Sequence, residues 1–323
     1  RAALRAGNWD SVLDAIHRMS TDEQADGAWR YWRARALKAK GLSLDANKIL
    51  IPLSSEHNYY GQLAKEELGA ILTAAKDSRP ATVEEIRAME KMPGVQRTLA
   101  FYRLGLRTEA YREWVWTVRN FNDRQLLAAA EVAQRYGHYD RSINTANRTV
   151  QQHDFRLRFP TPHRETLRPV LREQDVDEAW VYGLIRQESR FLVDVTSSAG
   201  ARGLMQLMPD TAQWVAKQLG IDNFQQSLVT QVDINLRLGT YYLKHVLTTL
   251  NNQPLLASAA YNAGPGRARR WRDEEKILEG AIYAETIPFS ETRDYVKKVL
   301  KNSVYYANVL EHDHNPPTLK ERL

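Results

Sequence analysis

Helical periodicity over the first 155 residues constrains this chain more than any other feature. Alanine, leucine, arginine and glutamate recur there at three- and four-residue intervals, prolines are few, and no alternating apolar and polar run persists. The pattern excludes a sheet-based domain in that half and predicts helix after helix. Gly41, Gly105 and Gly137 each close a helix-like run, and each is followed five residues later by a small residue, Ala46, Ala110 or Ser142. The glycine spacings of 64 and 32 residues predict a helical hairpin of about 32 residues, a length typical of α-solenoid repeats. Trp29, Tyr31, Trp32, Trp114 and Trp116 are read as wedges between helix pairs rather than as a platform for sugars. Asp77-Ser78-Arg79-Pro80 and Met92-Pro93-Gly94 punctuate the helices.

At 323 residues the chain exceeds one ordinary core. Pro160, Pro162 and Pro169, set among Arg158, His163 and Arg164, mark an aperiodic linker. The expected organisation is therefore a helical-hairpin domain over 1–155, a linker over 156–174 and a second domain over 175–323. His163 is read as a solvated linker histidine, not a catalytic base. With no cysteine there is no disulfide framework and no thiolate metal site. No apolar run is long enough to span a membrane, and the start at Arg1, in mid-pattern and without a signal sequence, reads as a processed or truncated end. Residues 1–175 hold 28 Lys+Arg against 22 Asp+Glu and residues 176–323 hold 17 against 17, so the whole net charge of +6 lies in the first part. Such an excess suits an anionic polymer, but it is spread without a basic cluster and reads as a solvated surface, so no nucleic-acid partner is expected.

The second half opens on the stretch Asp175 to Pro209. Asp175 with Glu178 three residues on reads as a capping box, followed by a helix with Val176, Ala179, Trp180, Gly183, Leu184, Gln187 and Glu188 on one face. Glu188 thereby falls on the buried side. A carboxylate there is paired or has its pKa raised toward neutrality, where it can donate a proton. A plain ion pair with Arg186 or Arg190 is the alternative. Ser197 to Gly203 is a run of small residues that lets backbone approach a ligand.

Helices are expected from about Pro209 to Leu219, over Asp233 to Asn251 and over Leu255 to Tyr261, before Asn262-Ala263-Gly264-Pro265-Gly266 breaks the chain and aims Tyr261 and Asn262 outward. A buried core tyrosine is the alternative for Tyr261. Arg267, Arg269, Arg270 and Arg272 are offset by Asp273, Glu274, Glu275 and Glu279 and read as a salt-bridged helix. His312-Asp313-His314 reads as an exposed tail, so neither a metal nor any other cofactor is expected.

Four blocks in this half carry a resemblance: Glu188-Ser189, Gly203-Leu204-Met205-Gln206-Leu207-Met208-Pro209, Ala259-Ala260-Tyr261-Asn262-Ala263-Gly264-Pro265-Gly266, and Ile287-Pro288-Phe289-Ser290-Glu291-Thr292-Arg293. In this order they resemble the catalytic domain of the soluble lytic transglycosylases, bacterial enzymes that cleave peptidoglycan. The resemblance implies an all-α chain, an α-superhelical array of helical hairpins followed by a lysozyme-like catalytic domain, here lacking its N-terminal part. It also implies a periplasmic or outer-membrane-associated monomer acting on glycan strands with stem peptides, with cell-wall synthesis or division proteins as partners.

The resemblance further implies one catalytic glutamate, Glu188, acting as acid and then as base, so that 1,6-anhydro ends form without water. Ser197, Gln206, Met208, Tyr261 and Glu291 match positions lining the glycan cleft of the family, with Asn262 nearby. The family has proline where this chain has Val193, a departure expected to alter the loop and not the activity. A second carboxylate, the requirement of an ordinary glycosidase, is not identifiable from spacing among Asp194, Glu285 and Glu291. Two other readings remain, a muramidase-type hydrolase of the same fold and a non-enzymatic scaffold that binds glycan or proteins.

Overall fold

A computed structural model of the chain describes residues 1–70, 72, 78–272, 277–310 and 316–323. Among these residues every regular element is helical, and the only β pairing is two isolated bridges, Thr196 with Arg202 and Arg202 with Leu207. Asp77, Asp273, Glu274, Glu275 and the His312-Asp313-His314 tail lie outside the described residues.

The glycines that set the repeat act as helix stops. After helix Gly27–Ala39, Gly41 takes φ 80° and the Leu42 N–H donates back to the Leu37 carbonyl at 2.9 Å. The same six-residue closure joins Leu106 to Phe101 around Gly105 and His138 to Ala133 around Gly137. Only a residue free of a Cβ adopts this left-handed stop cheaply. The returning helices Ser43–Leu53, Arg107–Val118 and Tyr139–Ala146 then bury Ala46, Ala110 and Ser142 completely. Gly69 stops helix Tyr59–Glu67 in the same way, a fourth turn that the sequence spacing left out.

Two of the four apolar clusters formed by the described residues set the layout of the chain. Ile86, Val95, Leu99, Trp114, Leu126 and Val132 form one, within residues 83–135. The other runs from Leu4, Trp32, Leu50 and Leu63 into Trp180, Leu300 and Tyr305, so the first 68 residues pack directly onto the second half. Of the tryptophans read as wedges, Trp32 and Trp114 are buried, but Trp116 is 62% exposed beneath the Arg119 guanidinium. Two residues beyond Trp114 on one helix, it faces about 200° away and has nothing to wedge against.

The segment read as an aperiodic linker is structured. It contains helices Phe155–Arg158 and Arg164–Gln174, the second with Pro169 inside it. Leu157, Phe159, Leu167 and Leu171 are buried, and Phe159 stacks on Tyr305 at 4.6 Å. These four apolar anchors outweigh the prolines. His163 is half-buried at φ 58° and its pKa is pushed down by burial, so it is not the solvated histidine expected. Glu279 is also reassigned. Its carboxylate takes both terminal nitrogens of Arg35, at 2.8 and 2.7 Å, rather than a nearby arginine.

Glu285, fully buried, joins the two halves. It accepts from Arg1 Nε at 3.1 Å, Trp32 Nε1 at 3.2 Å and Lys297 Nζ at 2.7 Å, and from the Tyr60 hydroxyl. The long helix Ser290–Leu310 carries Lys297 and packs along helix Glu178–Glu188. Gly183 permits that approach, since a Cβ there would sit 2.9 Å from the Val299 carbonyl and the Ser303 N–H.

Candidate active site

The helix that delivers Glu188 begins two residues later than its sequence suggests. Asp177 is the N-cap, accepting from the Trp180 N–H at 2.5 Å, whereas Asp175 ends the preceding helix at φ 51° and pairs with Lys244. Glu178 pairs with Arg164 at 2.7 Å instead of closing a capping box. Ala179 through Arg186 are all buried, so the helix is enclosed on every side and not along one stripe alone.

Glu188 is its last residue. The chain then reverses through Arg190 at φ 48° and Phe191 at φ 67°, a left-handed pair without glycine, held by the Ser189 hydroxyl, which accepts from the Phe191 N–H at 3.1 Å. Backbone of this kind is unfavourable for bulky side chains and collects where a site fixes it. The reversal leaves Glu188 half-buried at the end of the helix. Arg186 does not pair with it. That guanidinium turns to the Arg158 carbonyl at 2.8 Å and to Asn302 at 3.3 Å.

The partner of Glu188 is Tyr295, whose hydroxyl donates to Oε1 at 2.5 Å. Burial pushes the Glu188 pKa up to about 7, the hydroxyl pulls it back, and the charge of Glu291 raises it again. One neutral donor does not replace the water that burial removes, so the carboxyl keeps its proton near neutral pH. The tyrosines beside it respond in kind. Tyr295 and Tyr261 are both pushed well up by burial, and the charge of Glu188 raises each further.

Tyr261 donates to the Met205 carbonyl at 2.8 Å, fixing helix Pro254–Ala263 to the loop that holds Ser197, Gln206 and Met208. In that loop Ser197 Oγ accepts from the Ala201 N–H at 3.0 Å, and Gln206, at φ 46°, donates to the Gly203 and Val195 carbonyls. Met208 is 43% exposed at the start of helix Pro209–Gln218. Asn262 accepts from the Thr292 hydroxyl at 2.7 Å, one residue from Glu291, which is exposed on the first turn of helix Ser290–Leu310. Tyr261, Tyr295 and Glu291 are thus grouped electrostatically with Glu188. Ser197, Gln206 and Met208 join through the Met205 carbonyl, and Asn262 through Thr292.

The other two acids considered as partners are engaged elsewhere, Asp194 with Arg107 and Glu285 in the buried junction. Val193 packs half-buried against the main core.

Two functional supports escaped the sequence reading. Tyr295 was within reach, because it lies four residues after Glu291 and so on the same helix face. Asn235 was not. Fully buried, it accepts from the Met205 N–H at 2.8 Å and donates to the Val229 and Arg202 carbonyls, which holds the Gln206 loop.

Three family models match the chain. Residues 169–283 match the Transglycosylase SLT domain, residues 88–151 the soluble lytic murein transglycosylase L domain, and residues 286–315 the soluble lytic transglycosylase helical domain. The last match falls on helix Ser290–Leu310 and not on the N-terminal hairpins. The soluble lytic murein transglycosylase of Salmonella typhimurium is 30% identical over 96% of this chain and 48% of its own length, and that of Escherichia coli K12 is 29% identical over 95% and 47%. The chain therefore spans about half the length of the curated relatives it matches. Among solved structures, an inactive mutant of the lytic transglycosylase Slt from Pseudomonas aeruginosa superposes with a TM-score of 0.85 at 34% identity, covering 98% of this chain and 51% of that one. A 70-kDa soluble lytic transglycosylase in complex with bulgecin A gives 0.83 at 27% identity, with the same coverages. On these matches the chain belongs to the soluble lytic murein transglycosylase family.

Proposed function

We propose that this chain cleaves the β-1,4 bond between N-acetylmuramic acid and N-acetylglucosamine in peptidoglycan, with Glu188 as the single acid and base. The observation that carries the reading is the state of Glu188: half-buried at a helix end, with no cation paired to it among the described residues, a tyrosine donor, and a pKa raised to about 7. Such a group is protonated when substrate arrives and is a competent base once the proton is gone. It gives its proton to the glycosidic oxygen as the bond to C1 breaks. The muramic acid C6 hydroxyl then bonds to C1 and returns its proton to Glu188, leaving a 1,6-anhydro ring and consuming no water.

An intramolecular hydroxyl can replace water because good orientation is worth up to roughly 7–11 kcal/mol. Gln206, Met208, Ser197, Tyr261, Asn262 and Glu291 line the cleft in this reading, and glycan strands bearing stem peptides, met in the periplasm, are the substrate. The P. aeruginosa neighbour, described as an inactive mutant, supports the choice of fold for this chemistry.

The test is mass spectrometry of sugar ends after digestion of purified peptidoglycan by the chain and by Glu188→Gln. Anhydro-muramic ends from the parent and none from the variant are expected. Reducing ends would transfer the reading to a hydrolase with Glu291 as the carboxylate to examine, and no cleavage by the parent would leave the scaffold reading.

A further inference from the structure

Behind the Glu188 helix, at the seam between the two halves, three cations gather around a slab of aromatic rings. Tyr305 lies between Phe155 and Phe159, at 5.5 and 4.6 Å, with interplanar angles of 14° and 4°. Arg158 sits over Phe155 at 5.4 Å, Arg186 over Phe159 at 4.6 Å, and the Lys301 ammonium 5.7 Å from both Phe159 and Tyr305. The arginines are buried, and their hydrogen bonds go to neutral acceptors. Arg158 takes the Ala146 and Thr149 carbonyls, the Thr149 hydroxyl and His153; Arg186 takes the Arg158 carbonyl, Asn302 and Asn147. Lys301, half-buried, makes no hydrogen bond or ion pair with any described residue.

The charges of the three cations oppose one another, and the ring faces offset only part of that repulsion. Cations in low-dielectric surroundings are ordinarily matched by a carboxylate. Here none of the described residues supplies one to Lys301. The cluster relieves its repulsion by holding Lys301 well below its ordinary pKa, through burial and the charges of Arg186, Arg158 and Lys298. Arg186 is pushed down to about 10 by burial, with Arg190 and Arg158 adding to the effect. An anion at this point would restore the proton to Lys301 and remove the repulsion together.

We propose that Arg158, Arg186 and Lys301 form a binding site for a small oxyanion, carboxylate or phosphate, at the junction of the helical hairpins and the C-terminal half. The site is built from three separate segments, helices Phe155–Arg158, Glu178–Glu188 and Ser290–Leu310, so its occupant clamps them together. It lies apart from the groups that contact Glu188 and does not depend on the activity proposed above.

The test titrates the whole chain with sodium phosphate and, separately, sodium acetate at constant ionic strength set by chloride, following the Lys301 side-chain NMR signal. A saturable shift toward the ammonium position is expected. A response to both anions gives the shared oxyanion chemistry, to phosphate alone a phosphate source, and to acetate alone a carboxylate source. Lys301→Met should weaken the binding by at least about tenfold while Lys298→Met, an exposed lysine on the same helix, leaves it within about twofold. No shift with either anion overturns the proposal. So does equal weakening by the two variants, which would mean general surface charge. Should Lys301→Met not fold, the Lys301 signal of the parent decides alone.

Discussion

Replacing Glu188 by glutamine should make the protein more stable, and only above acidic pH. The folded carboxyl has its pKa raised from 4.5 to about 7, so between these values the folded chain holds a proton that the unfolded chain has released. Stability therefore falls as pH rises through that window, and the whole penalty is present above the folded value. At about 1.4 kcal/mol per pH unit, the gap of roughly 2.5 amounts to about 3 kcal/mol. Glutamine carries no charge to desolvate, and its side-chain oxygen still accepts from Tyr295. Below pH 4.5 the parent is itself neutral at this position, and the difference should nearly vanish.

The assay is urea unfolding of parent and Glu188→Gln at pH 4 and pH 8, followed by circular dichroism. The expected result is a stability difference that grows by about 3 kcal/mol in favour of the variant between the two pH values. A difference that stays constant, or a parent that gains on the variant as pH rises, would refute the reasoning. Either result would mean that the carboxylate is compensated in the folded chain and is not the poised acid the mechanism needs.

Three further predictions concern the groups around it. Tyr295→Phe removes a hydrogen bond to a charged acceptor, worth roughly 1.5–3 kcal/mol, so the Glu188 pKa should rise by about 1–2 pH units and the alkaline limb of kcat/KM should move up with it; a limb that is unmoved or lowered counts against the assignment. Gly203→Ala puts a Cβ 2.3 Å from Asn235 Nδ2 at φ 76°, so it should cost more than about 1 kcal/mol by urea midpoint and lower kcat through the Gln206 loop, and a neutral result would mean that the loop yields freely. Lys297→Met leaves the buried Glu285 short of its nearest cation and should destabilise by roughly 3–5 kcal/mol, with Lys297→Met plus Glu285→Gln recovering much of the loss, as judged by the same unfolding curves.

The helical hairpins were legible because glycine at a left-handed stop is a local requirement, and local requirements leave their mark in spacing. The Pro-rich stretch misled for the complementary reason. Proline content is local, whereas the burial of Phe159 depends on Tyr305, nearly 150 residues later, and that of Leu157 on Leu127 and Ala130. The cap at Asp177 was missed by two positions because either aspartate suits a helix start, and only the Lys244 pairing and the left-handed turn at Asp175 separate them. Asn235 left no mark at all. Its three partners lie on the Arg202–Met205 loop and at Val229, and a single asparagine inside a helix says nothing of where its amide points.

Glu188 and Glu285 bring out the limit of any argument from burial. Glu285 is the more deeply buried of the two, yet its pKa is lowered, because Lys297, with help from Tyr60 and Trp32, outweighs the desolvation. Glu188 has Tyr295 alone among the described residues and is driven the other way. Placing a glutamate inside a fold therefore makes either an ion-pair anchor or a proton donor, according to the donors that meet it. The deciding donor comes from helix Ser290–Leu310 in both cases: Lys297 on one face reaches Glu285, and Tyr295, two residues before it and about 200° around the helix, reaches Glu188. One helix thus anchors the seam to the N-terminal hairpins and sets the acidity of the site. A shift of that helix at the seam would be felt at Glu188 without any change in the residues that line the cleft.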